Sequence, residues 1–135
     1  MTMRIAKAGV DLGIVVRDLD AMVVFYRDTL GLYYEGQNPI PGGGVMHRLW
    51  AAETMVKLVA PEPAPEAANP RGGLAAARGL RYFTFTVSNL DEIHEACVRD
   101  GATVVHAPFE VVAKVRIAMV EDPDGNHVEF LERAV

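Results

Sequence analysis

The feature that most constrains this 135-residue chain is an internal repeat. Residues 16–31 read Val-Arg-Asp-Leu-Asp onward to Leu-Gly, and residues 87–101 read Val-Ser-Asn-Leu-Asp onward to Asp-Gly. Each copy predicts a strand, a capped helix, a glycine that ends the helix, and further strands. Half of a chain this short is too small to bury its own hydrophobic face, so we expect the two copies to pack together.

Composition limits the function classes. The length fits one domain or two fused half-domains, and 50% hydrophobic residues can form a real core. A net charge of −5 argues against nucleic acid as a partner. No apolar run approaches the roughly 20 residues of a membrane span, and residues 1–5 lack the apolar core of a signal peptide. Cys97 is the only cysteine, so no internal disulfide can form, and we expect a cytoplasmic protein without a membrane partner.

The first half, residues 1–60, predicts a strand, a helix and three strands. Alternation over residues 10–16 favours a strand with Asp11 on its open face. Asp18 is a suitable N-cap and Gly31 a suitable stop for the helix. A short strand at 32–36, a glycine-rich loop, and a hairpin turning near Ala52-Glu53 should follow.

The second half, residues 80–135, follows a linker at 61–79 that is rich in Pro, Ala and Gly. It predicts a β-prone strand, a helix capped by Asn89 with Glu92 completing a capping box, a short strand at 103–106 and a final hairpin. The fold class is therefore α+β with two βαβββ modules. Each sheet should have one face covered by its helix and one face open to a ligand.

A family resemblance rests on three sequence segments, which read Leu-Gly-Ile-Val-Val at residues 12–16, Phe-Tyr with Leu-Gly at 25–31, and Asp-Pro-Asp-Gly-Asn-His-Val-Glu at 122–129. Together they resemble the vicinal oxygen chelate superfamily, which includes glyoxalase I, bleomycin-resistance proteins, extradiol dioxygenases and methylmalonyl-CoA epimerase. The resemblance covers roughly residues 9 to 133. It implies that the modules form a cupped mixed sheet around a cavity with the helices outside, and that the chain is a homodimer.

The resemblance also implies a candidate site. Metal-dependent members carry His, Gln or Glu at four positions of the cavity floor, which correspond here to Asp11, Lys57, Tyr82 and Glu129. Only Glu129 matches that pattern, and a lysine ammonium repels a divalent ion. The resemblance therefore implies a nonstandard site with no favoured cofactor. The alternative metal set is Asp11, His127 and Glu129.

Two interpretations of these four residues remain open. In the first, Lys57 forms a salt bridge with a carboxylate and fills the space of a metal. In the second, the four residues are catalytic: Asp11 or Glu129 removes a proton next to a carbonyl group, and Lys57 or Tyr82 stabilises the oxyanion.

Other residues are candidates for substrate binding. Arg48 should lie opposite Lys57, and two adjacent cations favour an anionic ligand unless Arg48 pairs with Asp11 or Glu129. Trp50 and Met55 can line a ligand site, although such residues more often fill a core. The remaining candidates are Thr84, Arg116 and His127.

Three functions are consistent with the sequence. The leading one is a small-molecule enzyme, an isomerase, epimerase or lyase, that transfers protons on an oxygenated organic acid or ketone. The second is a non-catalytic protein that sequesters an aromatic metabolite or drug, as bleomycin-resistance proteins do. The third is a divalent-metal-dependent lyase or dioxygenase.

Overall fold

The computed structural model describes every residue from Met1 to Val135, and these divide into two compact units, Met1–Glu66 and Ala67–Val135. The division falls inside the predicted linker. The first unit contains β1 (Asp11–Val15), helix α1 (Leu19–Val23) continued by a π-helix (Val24–Thr29), β2 (Tyr33–Pro39), β3 (Gly44–Ala51) and β4 (Thr54–Pro61). The second contains a 3₁₀ turn (Gly73–Ala75), β5 (Tyr82–Thr86), α2 (Leu90–Arg99), β6 (Val104–Val112), β7 (Val115–Glu121) and β8 (His127–Arg133).

Each unit builds one four-stranded mixed sheet, in the orders β1-β4-β3-β2 and β5-β8-β7-β6. The pairs β1/β4 and β5/β8 are parallel, and the other neighbours are antiparallel. The α+β class and the βαβββ order of both modules are confirmed. Neither α1 with its π-helical continuation nor α2 has the length and hydropathy of a membrane span.

The first unit buries one face of its sheet under its helix. Asp18 caps α1 as predicted, because its Oδ1 accepts a hydrogen bond from the Ala21 amide at 3.1 Å. Met22 of α1 and Val56 and Leu58 of β4 are fully buried, and α1 contacts β4. The alternate residues of these strands therefore form an open face.

The end of the first helix departs from the α geometry that the spacing predicts. Its last residues are π-helical, and the Leu30 amide donates to the Phe25 carbonyl five residues earlier at 2.9 Å. This wider turn buries two successive aromatic side chains, Phe25 and Tyr26, whose rings pack edge to face.

The second unit repeats the arrangement with α2 on β6, β7 and β8. The predicted capping box is wrong, because the Asn89 side chain makes no capping hydrogen bond. Instead, Glu132 of β8 accepts from the Leu90 amide at 3.3 Å, so a residue distant in sequence takes the acceptor role. Two strands are also longer than predicted, because β2 and β6 extend along their partners through register shifts at bulges.

Candidate functional site

The first unit has one face of its sheet that is not covered by α1. We call it the first open face, and it comprises Asp11, Gly13, Gly36, Arg48, Trp50, Met55 and Lys57. Arg48 and Lys57 are directly paired across β3 and β4, as the predicted hairpin requires. Trp50 pairs with Met55, and Met55 lies beside Asp11 of β1.

Asp11 is held between two lysines. The Lys57 Nζ lies 3.2 Å from Asp11 Oδ2, and the Lys7 Nζ lies 2.5 Å from Oδ1. The hydrogen bond from Lys7, followed by that from Lys57, lowers the pKa of the Asp11 carboxyl below its usual value. Asp11 is therefore ionised at neutral pH and is a poor general base. The structure therefore contains the Lys57–carboxylate ion pair of the first interpretation, and the role of that pair stays a prediction.

Lys7 is a site residue that sequence reasoning missed. It precedes β1 and also lies 4.8 Å from the centroid of the Trp50 ring. Its only sequence signal is the four-residue spacing to Asp11, which has no meaning outside a helix. Gly9 lets this segment approach the backbone of Glu53 closely, because a Cβ there would lie 2.2 Å from the Glu53 carbonyl oxygen.

Arg48 pairs with Glu35 rather than with Asp11. Its Nε lies 3.0 Å from Glu35 Oε2, and its guanidinium also donates to the Asn38 side chain. The register of β2 shifts between Tyr34 and Gly36, so the bulged Glu35 reaches this face. The Arg48 hydrogen bond, followed by one from Trp50, lowers the pKa of Glu35. Glu35 was missed because a bulge cannot be read from alternation.

The second unit has an equivalent surface on the side of its sheet away from α2. We call it the second open face, and it includes Tyr82, Thr84 and Glu129. Thr84 Oγ1 donates a hydrogen bond to Glu129 Oε1 at 2.8 Å across the parallel pair β5/β8. Tyr82 lies two residues before Thr84 on β5, so both side chains are on the same face, and Tyr82 is 46% exposed. No ion pair of the structure involves Glu129, in contrast to Asp11.

His127 belongs to the same strand but is covered. It is only 7% exposed, and its Nε2 lies 3.5 Å from Glu121 Oε2. The backbone at Gly73 covers the ring so closely that a Cβ there would lie 2.3 Å from it. The structure thus packs this histidine under a segment that the sequence assigned to the linker.

The predicted orientation of Arg116 is wrong. Both of its terminal nitrogens lie 2.9 Å from the Asp91 carboxylate oxygens of α2, so the side chain is on the helix-covered face. Arg116 pairs in register with Glu132 and shares its face with Ala118, which is fully buried. A substrate-binding role required Arg116 to lie on the open face, and the structure places it on the opposite side of the sheet.

The positions implied by the resemblance do not fit a divalent metal. Neither unit groups three or more His, Cys, Asp or Glu side chains so that they can hold an ion. Both oxygens of Asp11 are engaged by ammonium groups, and Lys57 cannot ligate while it is protonated. The alternative set of Asp11, His127 and Glu129 draws on both units and stays a prediction.

Comparison with known proteins identifies the family. Residues 7–130 match the model of the glyoxalase/bleomycin resistance protein/dioxygenase superfamily, which is nearly the whole chain. The chain therefore belongs to this superfamily, as the resemblance to vicinal oxygen chelate proteins implied. No curated protein sequence matches the chain.

Solved structures share the fold at low sequence identity. A glyoxalase family protein from Bacillus cereus matches with a TM-score of 0.82 and 20% identity, covering 98% of this chain and 97% of its own. TnmS3, an antibiotic binding protein from Streptomyces sp. CB03234, matches with a TM-score of 0.72 and 22% identity, covering 97% and 100%. A glyoxalase family protein from Enterococcus faecalis gives 0.67 and 19%, covering 96% and 97%.

Proposed function

We propose that this chain is a small-molecule enzyme that transfers a proton next to a carbonyl group without a bound metal, and that Glu129 is its base. The observation that carries the proposal is the contrast between the two candidate carboxylates. Asp11 is paired with two lysines, whereas Glu129 takes part in no ion pair and accepts one hydrogen bond, from Thr84.

The second open face supplies the groups that such a reaction needs. Glu129 removes the proton through Oε2, while Oε1 keeps the hydrogen bond from Thr84 that orients the carboxylate. The electron pair of the broken C–H bond moves to the carbonyl oxygen and forms an enolate. The phenol of Tyr82 donates a hydrogen bond to that oxygen. Return of the proton to the same or another carbon completes an isomerisation or epimerisation, and expulsion of a leaving group completes an elimination.

Exchange of protons for deuterons tests this proposal directly. A panel of 2-oxo acids, 3-oxo acids and ketones is incubated with the protein in D₂O, and loss of the α-proton signal is followed by NMR. We expect wild-type protein to accelerate exchange of at least one compound, and Glu129→Gln to reduce that rate by a factor on the order of 100 or more.

The matched control is Glu95→Gln, which makes the same chemical change on the exposed side of α2. It should exchange like wild type. Equal acceleration by wild type and Glu129→Gln would overturn the assignment of the base. No acceleration by wild type for any compound would overturn the enzyme proposal and leave sequestration of a small molecule as the better explanation.

Sequestration is the second candidate, and one observation favours it. The pairing of Asp11 with Lys7 and Lys57 removes one candidate base and leaves cationic side chains beside Trp50, an arrangement suited to binding. The antibiotic binding protein TnmS3 shares this fold. A sequestering protein would bind its ligand without exchanging any proton, and Glu129→Gln would change only its affinity.

We also propose that the chain acts as a homodimer in the cytoplasm. The resemblance supports the dimer, and the single buried free thiol of Cys97 is compatible with a reducing compartment. Sedimentation velocity tests the dimer, which should have about twice the 14.7 kDa mass of the chain. A species of one chain mass over the working concentration range would contradict it.

A further inference from the structure

We propose that the first open face, together with Lys7 of the segment before β1, binds a planar aromatic acid. Lys57, Arg48 and Lys7 hold its carboxylate, and its ring lies beside Trp50. This site lies wholly within the first unit. It concerns ligand binding by the first unit and goes beyond the proposed function, which rests on residues of the second unit.

The charges of this surface favour an anion. Three cationic side chains, Lys7, Arg48 and Lys57, meet two carboxylates, Asp11 and Glu35. Because both lysines share the single carboxylate of Asp11, one positive charge of the group is uncompensated. This surplus lies on a chain whose net charge is −5. A ligand carboxylate would supply the missing negative charge.

The backbone leaves room beside these cations. Arg48 and Lys57 occupy one cross-strand row, and the ends of that row are Gly36 on β2 and Gly13 on β1. A Cβ at Gly13 would meet no atom within 4 Å. At the other end of the row, a Cβ at Gly36 would lie 3.3 Å from a terminal nitrogen of Arg48, so the guanidinium covers that position. The open space is therefore at Gly13 beside Lys57, where a flat group can lie against the sheet.

An apolar row lies next to the cationic row. Trp50 pairs with Tyr33 on one side and with Met55 on the other. The ammonium of Lys7 lies over the Trp50 ring, so a carboxylate bound by Lys7 would hold its attached ring at the level of the indole. A site with cationic side chains next to an apolar row favours a ligand with a carboxylate at one end and a flat apolar group at the other. Such a site selects an aromatic acid over acetate or an aliphatic dianion.

The cationic side chains remain accessible. The exposed fractions of the Arg48, Lys57 and Lys7 side chains are 25%, 33% and 37%. Each ammonium has three donor hydrogens, and the ion pairs with Asp11 use one of them on each lysine. These groups are therefore oriented by Asp11 and can still donate to a ligand.

Trp50 makes the inference directly measurable, because it is the only tryptophan in the chain. Its fluorescence is titrated with benzoate and, in parallel, with benzyl alcohol, at constant ionic strength. We expect benzoate to change the emission saturably, with an affinity at least tenfold above that of benzyl alcohol. Lys57→Met should weaken benzoate binding by roughly tenfold.

Two variants keep the test decisive. Lys7→Met changes an exposed segment before β1 and should also weaken benzoate binding several-fold, so it decides the matter if Lys57→Met fails to fold. Lys114→Met is the matched control, because this lysine lies in the β6–β7 turn of the other unit, and it should bind like wild type. Circular dichroism establishes that each variant is folded.

Equal affinities of wild type for benzoate and benzyl alcohol would overturn the inference. Equal benzoate affinities of wild type, Lys57→Met and Lys7→Met would also overturn it. The outcome is independent of catalysis. Benzoate binding that is lost in Lys57→Met and retained in Glu129→Gln supports the site even if no proton exchange is found. Proton exchange without benzoate binding supports only the proposed base.

Discussion

Asp11 shows how strongly the neighbours of a residue decide its chemistry. The sequence marks it as a carboxylate at the start of a strand, suited equally to a base, a ligand or a salt bridge. Its two ammonium partners stabilise the ionised form and lower the pKa of the carboxyl. Asp11 therefore orients Lys7 and Lys57 through two ion pairs.

Asp11 should make the free energy of unfolding depend on pH in the acid range. Because its pKa is lower in the folded chain than the ordinary value of 3.8, the unfolded chain takes up the proton first as pH falls. Its contribution to the free energy of unfolding is complete above that ordinary value and is lost as pH falls through the folded pKa. The difference in Tm between wild type and Asp11→Asn should therefore shrink between about pH 5 and pH 2. A difference that stays constant over this range would contradict the role of Asp11.

Cys97 should be unreactive in the native protein. It is fully buried on α2, and burial, followed by the nearby charge of Asp100, raises the pKa of its thiol to about 11. At about pH 8 we expect its reaction with an aromatic disulfide reagent to be at least ~100-fold slower than in concentrated guanidinium chloride. Comparable rates in the two conditions would show that the thiol is accessible.

The segment before β5 is an element whose role emerged only from the structure. Arg81 donates to the Gly73 carbonyl, the Asn69 side chain and the Pro70 carbonyl at 2.8, 2.9 and 2.6 Å. These bonds fasten residues 69–73 over His127 of the second unit. Composition predicted a linker here, because hydrogen bonds from one arginine to a proline-rich stretch leave no periodic signal.

Two glycines of this region provide a matched test of the packing over His127. Gly73 and Gly79 both have positive φ angles, of 60° and 96°, so alanine at either costs about 1–2 kcal/mol of backbone strain. A Cβ at Gly73 would also lie 2.3 Å from the His127 ring, whereas one at Gly79 meets nothing within 4 Å.

Gly73→Ala should therefore lower the free energy of unfolding by about 2 kcal/mol more than Gly79→Ala does. Urea denaturation of the two variants measures the difference. Equal losses would mean that the turn does not pack against the histidine as the structure shows.

At the scale of the whole molecule, the repeat predicted the fold because it depends on local signals. The alternation in β1, the Asp18 cap and the Arg48–Lys57 pairing all follow from sequence periodicity and turn chemistry, and each is confirmed. The strand bounds and the cap of α2 were less predictable. Register shifts set the length of β6, and Glu132 accepts the hydrogen bond at the start of α2. Neither feature leaves a local pattern in the sequence.

The candidate site was predictable in its residues and less so in its contacts. The resemblance implied that Asp11 and Lys57 belong to one site, and they form an ion pair. The partners Lys7 and Glu35 could not be found, because one lies outside regular structure and the other is placed by a bulge. Arg116 was misassigned because alternation alone does not say which side a helix covers.

For the whole molecule, we propose that proton transfer depends on Glu129 and on no bound metal. The most direct measurement is proton exchange in D₂O by protein stripped with a chelator and assayed by NMR, before and after addition of Mn²⁺, Ni²⁺ or Zn²⁺. We expect that stripped wild-type protein keeps its full exchange rate, that added metal does not raise it, and that Glu129→Gln loses it. Exchange that disappears on stripping and returns with a metal ion would contradict the account.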